Sequence, residues 1–237
     1  MKRTLVVSDI HGELDKLNRL LELVNYDSQL DQLILLGDYV DRGPDPRGVI
    51  KKVMELKAAG ALALKGNHED MMIKALTGAG NDAWNRWFKR NGGDKTLLSY
   101  GISQELLIEK PEQDTYELAP SERAVELLAD LAFLQELDHY IETEDYIFVH
   151  AGVHPTIPIH KTDPYTLMWI REDFHQGYEG QKTVVFGHTT TNGLHRDVDN
   201  HEIYYGTNRI IGIDGGAVYG GQLNALDVTN NKAYAVK

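Results

Sequence analysis

Short runs of apolar residues recur along the chain, and each is followed within one or two residues by polar side chains. Five of these runs have the length of a β-strand: Leu5–Val7, Leu33–Leu36, Ala61–Leu64, Tyr146–Val149 and Val184–Phe186. The sequences that follow them are, in chain order, SDIHG, GDYVDRG, GNHED, HAG and GHTT. The pattern therefore predicts strands that end on side chains able to ligate a metal or carry a proton.

Between the first three runs the apolar spacing becomes helical. Residues 13–24 and 46–57 place apolar side chains every three or four positions, and the second segment follows Asp45, a favourable N-cap, with Pro46 at the first helical position. Strands that alternate with helices over the first 75 residues are typical of βαβ units. We therefore predict a largely parallel sheet in this part of the chain.

The alternation stops between about residues 77 and 135. This stretch contains an aromatic, helix-like segment around Trp84, Trp87 and Phe88, and an amphipathic segment that begins at Ser121. The pattern indicates a helical insertion in the domain.

After the insertion, the chain returns to strands that are separated by short polar turns. Three hairpins are predicted, with turns at Thr143–Asp145, Gly206–Asn208 and Asn230–Asn231. The fold class is therefore predicted to be α/β, with two packed mixed β-sheets flanked by helices and a helical insertion at about 77–135. We expect residues 1–237 to form a single domain.

The composition of the chain limits the kinds of metal site and partner that are expected. The chain has 237 residues, of which 42% are hydrophobic and 25% charged, so it can bury a full core. It has no cysteine, which excludes thiolate metal sites and is consistent with the cytoplasm. The net charge of −12 argues against binding a nucleic-acid backbone, and no apolar run is long enough to cross a membrane. We therefore expect neither a nucleic acid nor a membrane as a partner.

The polar residues that follow the predicted strands form a candidate metal site. The carboxyl ends of strands in an open α/β sheet lie at one edge, where ligands bind, so these side chains are expected to converge. The candidate ligands are Asp9, His11, Asp38, Asn67, His150 and His188. Oxygen and imidazole donors without sulfur suit manganese, iron or zinc better than calcium or magnesium. Six ligands are too many for one tetrahedral zinc and about right for two metals that share a carboxylate.

Each motif taken alone also has a purely structural interpretation. SDIHG and GNHE could cap helices, and a single histidine after a strand is commonly structural. In GDYVDRG, Asp38 can bridge two metals and Arg42 can bind a phosphate, whereas Asp41 and Arg42 could instead form an ion pair in a turn before Pro44. The occurrence of all five motifs at predicted strand ends favours a shared site.

In this order and across nearly the whole chain, the five motifs resemble the calcineurin-like metallophosphoesterase superfamily. They are most similar to its phosphoprotein phosphatase branch, in particular to bacterial and phage-type serine/threonine phosphatases. The resemblance implies an α/β/β/α sandwich that holds two divalent ions, with manganese favoured and iron, zinc or nickel as alternatives. One ion would be held by Asp9, His11 and Asp38. The other would be held by Asp38, Asn67, His150 and His188.

The same resemblance assigns the remaining roles. Arg42 and Arg171 match phosphate-binding arginines, Asn67 is also expected to contact the substrate, and His68 and Asp41 match the catalytic pair. Many nucleases of the superfamily end their last motif as Gly-His-x-His, whereas GHTT has Thr190 at the second histidine, which favours the phosphatase branch. In the first motif, Ser8 replaces the usual glycine, outside the ligand set.

These assignments imply a mechanism in which a hydroxide bridging the two metals attacks phosphorus in line with the leaving oxygen. His68, oriented by Asp41, protonates that oxygen, which in a phosphoserine or phosphothreonine is a strongly basic alkoxide.

The substrate stays open between a phosphoprotein or phosphorylated small molecule and a dinucleoside polyphosphate, because diadenosine tetraphosphate hydrolases share the five motifs. The segment RNGGDKTLLSYG resembles the bacterial protein phosphatases more closely, although it could also be an ordinary glycine-rich turn. An adenine site would need an aromatic platform, for which Trp84, Trp87 and Tyr219 are the candidates. A non-catalytic metal-binding module is a third alternative, and retention of Asp41, His68 and Arg42 argues against it.

Overall fold

The computed structural model describes residues 2–78, 81–110 and 115–237. Within these ranges the strands form two five-stranded sheets and one separate hairpin. The strands are β1 (Arg3–Val7), β2 (Asp31–Leu35), β3 (Leu62–Ala63), β4 (Leu107–Lys110), β5 (Thr115–Leu118), β6 (Tyr140–Glu142), β7 (Tyr146–Val149), β8 (Thr183–Phe186), β9 (Tyr204–Tyr205), β10 (Ile210–Gly212), β11 (Leu223–Asp227) and β12 (Lys232–Val236).

The helices lie mainly outside the two sheets. They are α1 (Leu14–Leu23), α2 (Pro46–Ala58), α3 (Asn67–Leu76), α4 (Asn81–Trp84), α5 (Gly93–Ser99), α6 (Glu122–Gln135), α7 (Pro164–Trp169), α8 (Glu172–Gly177) and α9 (Thr191–His195), with a π-helical turn at Asn85–Lys89. The first helices begin where the sequence predicts: Asp45 accepts a hydrogen bond from the Gly48 N–H (2.8 Å), and Pro46 opens α2.

Both sheets are mixed. The first has the order β12-β11-β1-β2-β3, in which β1, β2 and β3 are parallel and β11 is antiparallel to β1. The second has the order β6-β7-β8-β10-β9, with a parallel centre of β7, β8 and β10 and antiparallel edges. The predicted fold class is confirmed, and the three predicted hairpins are β6–β7, β9–β10 and β11–β12.

Alternate side chains of the central strands pack in different layers. Val6 and Ile34 of the first sheet share a core with Phe148 and Val185 of the second, so this core lies between the sheets. Their strand neighbours, such as Leu5, point to the outer face of the first sheet, where α1 and α2 pack. Because the central strands are buried on both faces, their sequences are continuously apolar rather than alternating.

The predicted helical insertion at 77–135 is wrong in one respect, because it also contains a hairpin. The π-helical turn, α5 and α6 lie in this stretch as expected, but β4 and β5 pair antiparallel between α5 and α6. Residues 79–80 and 111–114 of the predicted insertion lie outside the described residues. No helix in the described ranges is both long and apolar enough to span a membrane.

Candidate active site

The polar residues that follow five strands meet at one edge of the two sheets. The first sheet supplies residues that follow β1, β2 and β3, and the second supplies residues that follow β7 and β8. All six predicted ligands are buried: Asp9, His11, Asp38, Asn67, His150 and His188. Four of them, together with His68, form two groups of possible ligand atoms that lie within 4.8 Å of one another: Asp38 with His11 and His68, and Asp38 with His150 and His188. Asp9 belongs to neither group.

The backbone at these strand ends is strained. Ten non-glycine residues of the described chain have a left-handed φ, which is sterically unfavourable for L-residues. Six of them are predicted site residues: Asp9, His11, Asp38, Asp41, Arg42 and His188. Such strain persists only where the surrounding structure holds it, and it concentrates at functional sites. Sharp turns at the strand ends therefore aim these side chains into one space.

The two histidines nearest Asp38 have a defined tautomer. The Nδ1 atoms of His11 and His150 lie 2.8 Å from the Val40 carbonyl and 3.0 Å from the Leu36 carbonyl. A carbonyl only accepts, so each Nδ1 donates, and in the neutral ring Nε2 keeps its lone pair. Burial lowers the pKa of His11 well below its usual value and that of His150 to about 3, so both rings are neutral near pH 7.

The free imidazole lone pairs face the carboxylate of Asp38. His11 Nε2 lies 3.4 Å from one carboxylate oxygen, and His150 Nε2 lies 3.4 Å from the other. The Asn67 amide oxygen lies 2.8 Å from His150 Nε2 and 2.7 Å from His188 Nδ1. Nε2 of His11 and Nε2 of His150 therefore face acceptor oxygens, and acceptors that face one another repel unless a cation lies among them, so these ligand atoms fit two divalent ions that share Asp38.

A positively charged side chain of the protein contacts His11. Its Nε2 accepts a hydrogen bond from Arg42 Nη1 at 2.8 Å. Arg42 therefore reaches into the centre of the site, where its guanidinium satisfies the lone pair of His11.

The pKa values of two buried carboxyl groups, Asp9 and Asp214, are raised. Burial, and secondarily the charge of Asp214, raises the pKa of Asp9 well above its usual value. Burial likewise raises the pKa of Asp214 to about 6. Asp9 also accepts hydrogen bonds from Ser8 Oγ and from the His188 N–H, which connects the ends of β1 and β8. Buried acids with so little neutralising charge favour the binding of a cation.

Asp41 and His68 form a buried pair beside these groups. His68 Nδ1 donates to Asp41 Oδ2 at 2.6 Å, and both side chains are almost fully inaccessible to solvent. Burial, followed by the charge of Arg42, lowers the pKa of His68. Burial raises the pKa of Asp41, whereas the hydrogen bonds from Thr96 and Trp87 lower it and favour the carboxylate. The sequence alternative in which Asp41 pairs with Arg42 is not observed, because the Asp41 oxygens bind His68, Trp87 and Thr96.

A cavity of about 340 Å³ opens over these residues. Its lining includes Asp38, His68 and both predicted phosphate-binding arginines, Arg42 and Arg171. Arg171 is held at the rim by hydrogen bonds from its Nη1 to Thr189 Oγ1 (2.7 Å) and to the His188 carbonyl (3.3 Å). The structure therefore brings every predicted site residue to this cavity or to the buried groups beneath it.

Sequence reasoning missed several residues of the site. The carboxylate of Glu69 accepts hydrogen bonds from the backbone N–H groups of Asp38, Tyr39, Val40 and Gly66. Its place in GNHED, one residue after His68, was the available signal. Trp87 and Thr96 contact Asp41 although they lie 46 and 55 positions from it in the sequence. No local sequence pattern predicts contacts between residues so far apart.

The aromatic platform expected from Trp84, Trp87 and Tyr219 is only partly present. Trp84 and Trp87 are 1% and 0% exposed and belong to the core. Tyr219 is 63% exposed, lines the cavity and lies over the Arg42 guanidinium, with 5.2 Å to the ring centroid. Trp169, which was not predicted, lines the same cavity and lies edge-on to His188.

Comparison with known proteins agrees with this geometry. The sequence profile of the calcineurin-like phosphoesterase family matches residues 2–213. Serine/threonine-protein phosphatase 1 of Salmonella typhimurium is 29% identical over 92% of this chain and 88% of its own. The asymmetrical bis(5'-nucleosyl)-tetraphosphatase of Oceanobacillus iheyensis is 28% identical over 93% and 86%. A crystal structure provisionally named a diadenosine tetraphosphatase has a TM-score of 0.68 at 24% identity, over 99% of this chain and 93% of that one.

Proposed function

Because the chain belongs to the calcineurin-like phosphoesterase family, we propose that it is a two-metal phosphatase that hydrolyses phosphoserine and phosphothreonine in proteins. One observation carries the proposal: two buried groups of ligand atoms share Asp38 beneath a cavity lined by two arginines. A pair of divalent ions flanked by guanidinium groups suits the dianionic phosphoryl group of a phosphomonoester.

The proposed ligands divide between the two sheets. Asp9 and His11 hold one ion, Asn67, His150 and His188 hold the other, and Asp38 binds both. Manganese is the proposed metal, on the chemistry of a mixed carboxylate, amide and imidazole set. When bound, the two ions supply the Lewis-acid chemistry that activates water and stabilises charge on the transferring group.

The remaining residues act on the substrate. Arg42 and Arg171 bind the phosphoryl oxygens, and Asn67 lies close enough to the cavity to contact them as well. For this step His68 acts in its doubly protonated form: Nδ1–H stays on the Asp41 carboxylate, and the Nε2 proton passes to the leaving oxygen, which is otherwise a basic alkoxide when serine or threonine leaves. Asp41 accepts from His68 Nδ1 and so directs the opposite nitrogen of the ring away from itself.

The proposed acid role is tested by replacing His68→Asn. Turnover of a phosphoserine peptide should fall roughly 10²–10⁴-fold while the metal content per chain stays unchanged. His160→Asn, at an exposed histidine outside the cavity, is the matched control and should leave turnover unaltered. An unchanged rate in the His68 variant would remove the acid role.

A second substrate class, the dinucleoside polyphosphates, is favoured by Tyr219. This exposed ring beside Arg42 could stack on a nucleobase whose phosphates lie in the cavity. The relative from Oceanobacillus iheyensis carries the name of such a hydrolase, whereas the one from Salmonella typhimurium is named a protein phosphatase.

The two substrates are separated by a direct comparison of kcat/KM. The manganese-loaded protein is assayed on a phosphothreonine peptide and on diadenosine tetraphosphate, with Tyr219→Ala beside the wild type. We expect a preference for the peptide of roughly a hundredfold or more, equivalent to about 3 kcal/mol in transition-state binding. The reverse preference, together with a selective loss on the dinucleotide in Tyr219→Ala, would assign the protein to nucleotide hydrolysis.

A further inference from the structure

The segment RNGGDKT, residues 90–96, has no role in the function proposed above, yet it packs directly against the catalytic pair. Its end contributes Thr96, and the preceding π-helical turn contributes Trp87. Both side chains are fully buried and both reach Asp41 from the insertion. π-Helical turns are rare and are frequently found at functional sites.

The two side chains occupy one oxygen of the Asp41 carboxylate. Asp41 Oδ1 accepts from Trp87 Nε1 at 2.9 Å and from Thr96 Oγ1 at 2.7 Å. The Thr96 hydroxyl in turn accepts from the Asp41 backbone N–H at 2.9 Å. This leaves Oδ2 for His68 Nδ1, at 2.6 Å. The carboxylate therefore cannot rotate without breaking at least one of these hydrogen bonds.

The two glycines of the segment make this arrangement possible. A Cβ on Gly93 would lie 2.5 Å from the Trp87 indole, so only glycine lets the ring approach. Gly92 has a φ of +85° and accepts from the Arg42 N–H at 3.2 Å, next to Asp41 in sequence. The glycine pair thus brings the insertion against both Arg42 and the catalytic pair.

We propose that Trp87 and Thr96 are positioning residues for proton donation, which hold Asp41 in the orientation that aims His68 at the leaving oxygen. The inference rests on the proposed acid role of His68. Neutral donors on Oδ1 fix the plane of the carboxylate, and the remaining oxygen then fixes the imidazole ring. Loss of either donor lets the carboxylate turn and the ring follow it, without changing the metal ligands.

The test compares leaving groups, because an acid matters only when the leaving oxygen is basic. Trp87→Phe removes the donor and keeps an aromatic ring. Trp84→Phe is the matched control, since Trp84 is also buried, lies in the same aromatic cluster and has no hydrogen-bond partner for its Nε1 in the described part of the chain. Each variant is loaded with manganese and assayed on a phosphoserine peptide and on 2,4-dinitrophenyl phosphate, whose leaving group needs no proton.

Trp87→Phe should lower kcat on the peptide roughly tenfold or more and change kcat on the dinitrophenyl ester by less than about threefold, as a partial loss of general acid catalysis. Trp84→Phe should change both rates by the same factor. Equal losses on both substrates in Trp87→Phe would mean that the indole only packs, and would overturn the inference.

Thr96 gives an independent test if the tryptophan variant does not fold. Thr96→Val removes the hydroxyl at nearly constant volume, and Thr96→Ser restores it. The valine variant should show the leaving-group dependence, and the serine variant should recover at least half of the lost rate. Identical rates in the valine and serine variants would contradict the proposal.

His68→Asn separates this inference from the proposed function. If His68→Asn lowers kcat on both substrates by the same factor, the acid role itself is wrong. If His68→Asn leaves kcat on the dinitrophenyl ester unchanged, whereas Trp87→Phe and Thr96→Val lower it, the acid role of His68 stands. Only the positioning of Asp41 by the insertion is then wrong.

Discussion

At the scale of single residues, Asp38 has the most constrained position in the site. Its φ is 57°, its two carboxylate oxygens face His11 and His150 separately, and one of them also accepts from the His68 N–H at 3.0 Å. Asp tolerates the left-handed conformation better than most residues. The position therefore suits a short acidic side chain that can face both groups of candidate ligand atoms at once.

This geometry predicts that Asp38→Asn loses both metals. An amide has one acceptor oxygen and no charge, so it cannot serve two cations. Asn also tolerates a left-handed φ, so the backbone should not be disturbed. Metal per chain after dialysis, measured by elemental analysis, should fall from about two to below one, as expected for a site with one shared ligand.

Asp41→Asn is the matched control for this experiment. Asp41 lies in the same loop, has a left-handed φ of 70° and is buried, but it is not a proposed ligand. It should keep its metals and lose activity. Two retained metals in Asp38→Asn would remove the bridging assignment.

Sequence alone located these residues because each follows a strand directly. The predicted ligands and the Asp41–His68 pair lie within a few positions of an apolar run. Because the carboxyl ends of neighbouring parallel strands lie at one edge of a sheet, these residues come together there. Their roles as ligands and acid remain predictions. Trp87 and Thr96 could not be found in this way, because their contacts with Asp41 depend on how the insertion folds back over the sheet.

At the scale of elements, Glu69 ties α3 to the loop after β2. Its carboxylate accepts from three consecutive N–H groups of that loop, from Asp38 to Val40, and from Gly66 at the start of its own helix. One buried anion thus satisfies four backbone donors that would otherwise be buried without partners. The loop that carries Asp38 and Asp41 is held in place from α3.

We predict that Glu69→Gln lowers the free energy of unfolding by roughly 2–4 kcal/mol, because the amide turns a donor toward buried N–H groups. Asp70→Asn is the control, since the next residue pairs with Lys74 on the surface (2.7 Å) and should change stability by less than about 1 kcal/mol. Urea unfolding followed by circular dichroism measures both. Equal effects of the two variants would mean that Glu69 does not hold the loop.

The elements of the sheets were largely predictable, whereas those of the insertion were not. Strands buried on both faces leave continuous apolar runs, and turns such as Asn230–Asn231 leave short polar breaks. The hairpin of β4 and β5 is short and packs on the side of a helical region, so its residues carry no clear alternation. The prediction of a helical insertion at 77–135 therefore did not include this hairpin.

At the scale of the whole molecule, the proposed metal ligands come from both sheets. Asp9, His11, Asp38 and Asn67 follow strands of the first sheet, whereas His150 and His188 follow strands of the second. The Asp9 contact with the His188 N–H and the His150 contact with the Leu36 carbonyl already join the two sheets. Metal bound here would cross-link the sheets, so its free energy of binding would stabilise the fold directly.

In the metal-free protein, the contribution of Asp214 to stability should fall as pH rises, whereas a buried histidine such as His150, whose pKa is lowered, contributes in the opposite sense. Asp214, with a pKa raised to about 6 by burial, keeps a proton that the unfolded chain releases near pH 4. The stability that this group contributes thus falls as pH rises from about 4 to about 6 and stays lower above that. Manganese at about 100 times its dissociation constant should add roughly 2.7 kcal/mol per site near neutral pH, where the carboxylates are free to ligate.

Asp214→Asn isolates this effect, because an amide beside Asp9 carries no charge and can donate to it. Without metal, the variant should be more stable than the wild type at about pH 7.5 and nearly equal to it at about pH 4, as the linkage of proton binding to folding requires. With manganese, the difference at about pH 7.5 should shrink, since a cation neutralises the acids that otherwise repel each other. Urea unfolding at the two pH values, with and without metal, gives all four differences. A metal-free variant that is less stable than the wild type at the higher pH would show that Asp214 stabilises the two sheets as an anion, contrary to its raised pKa.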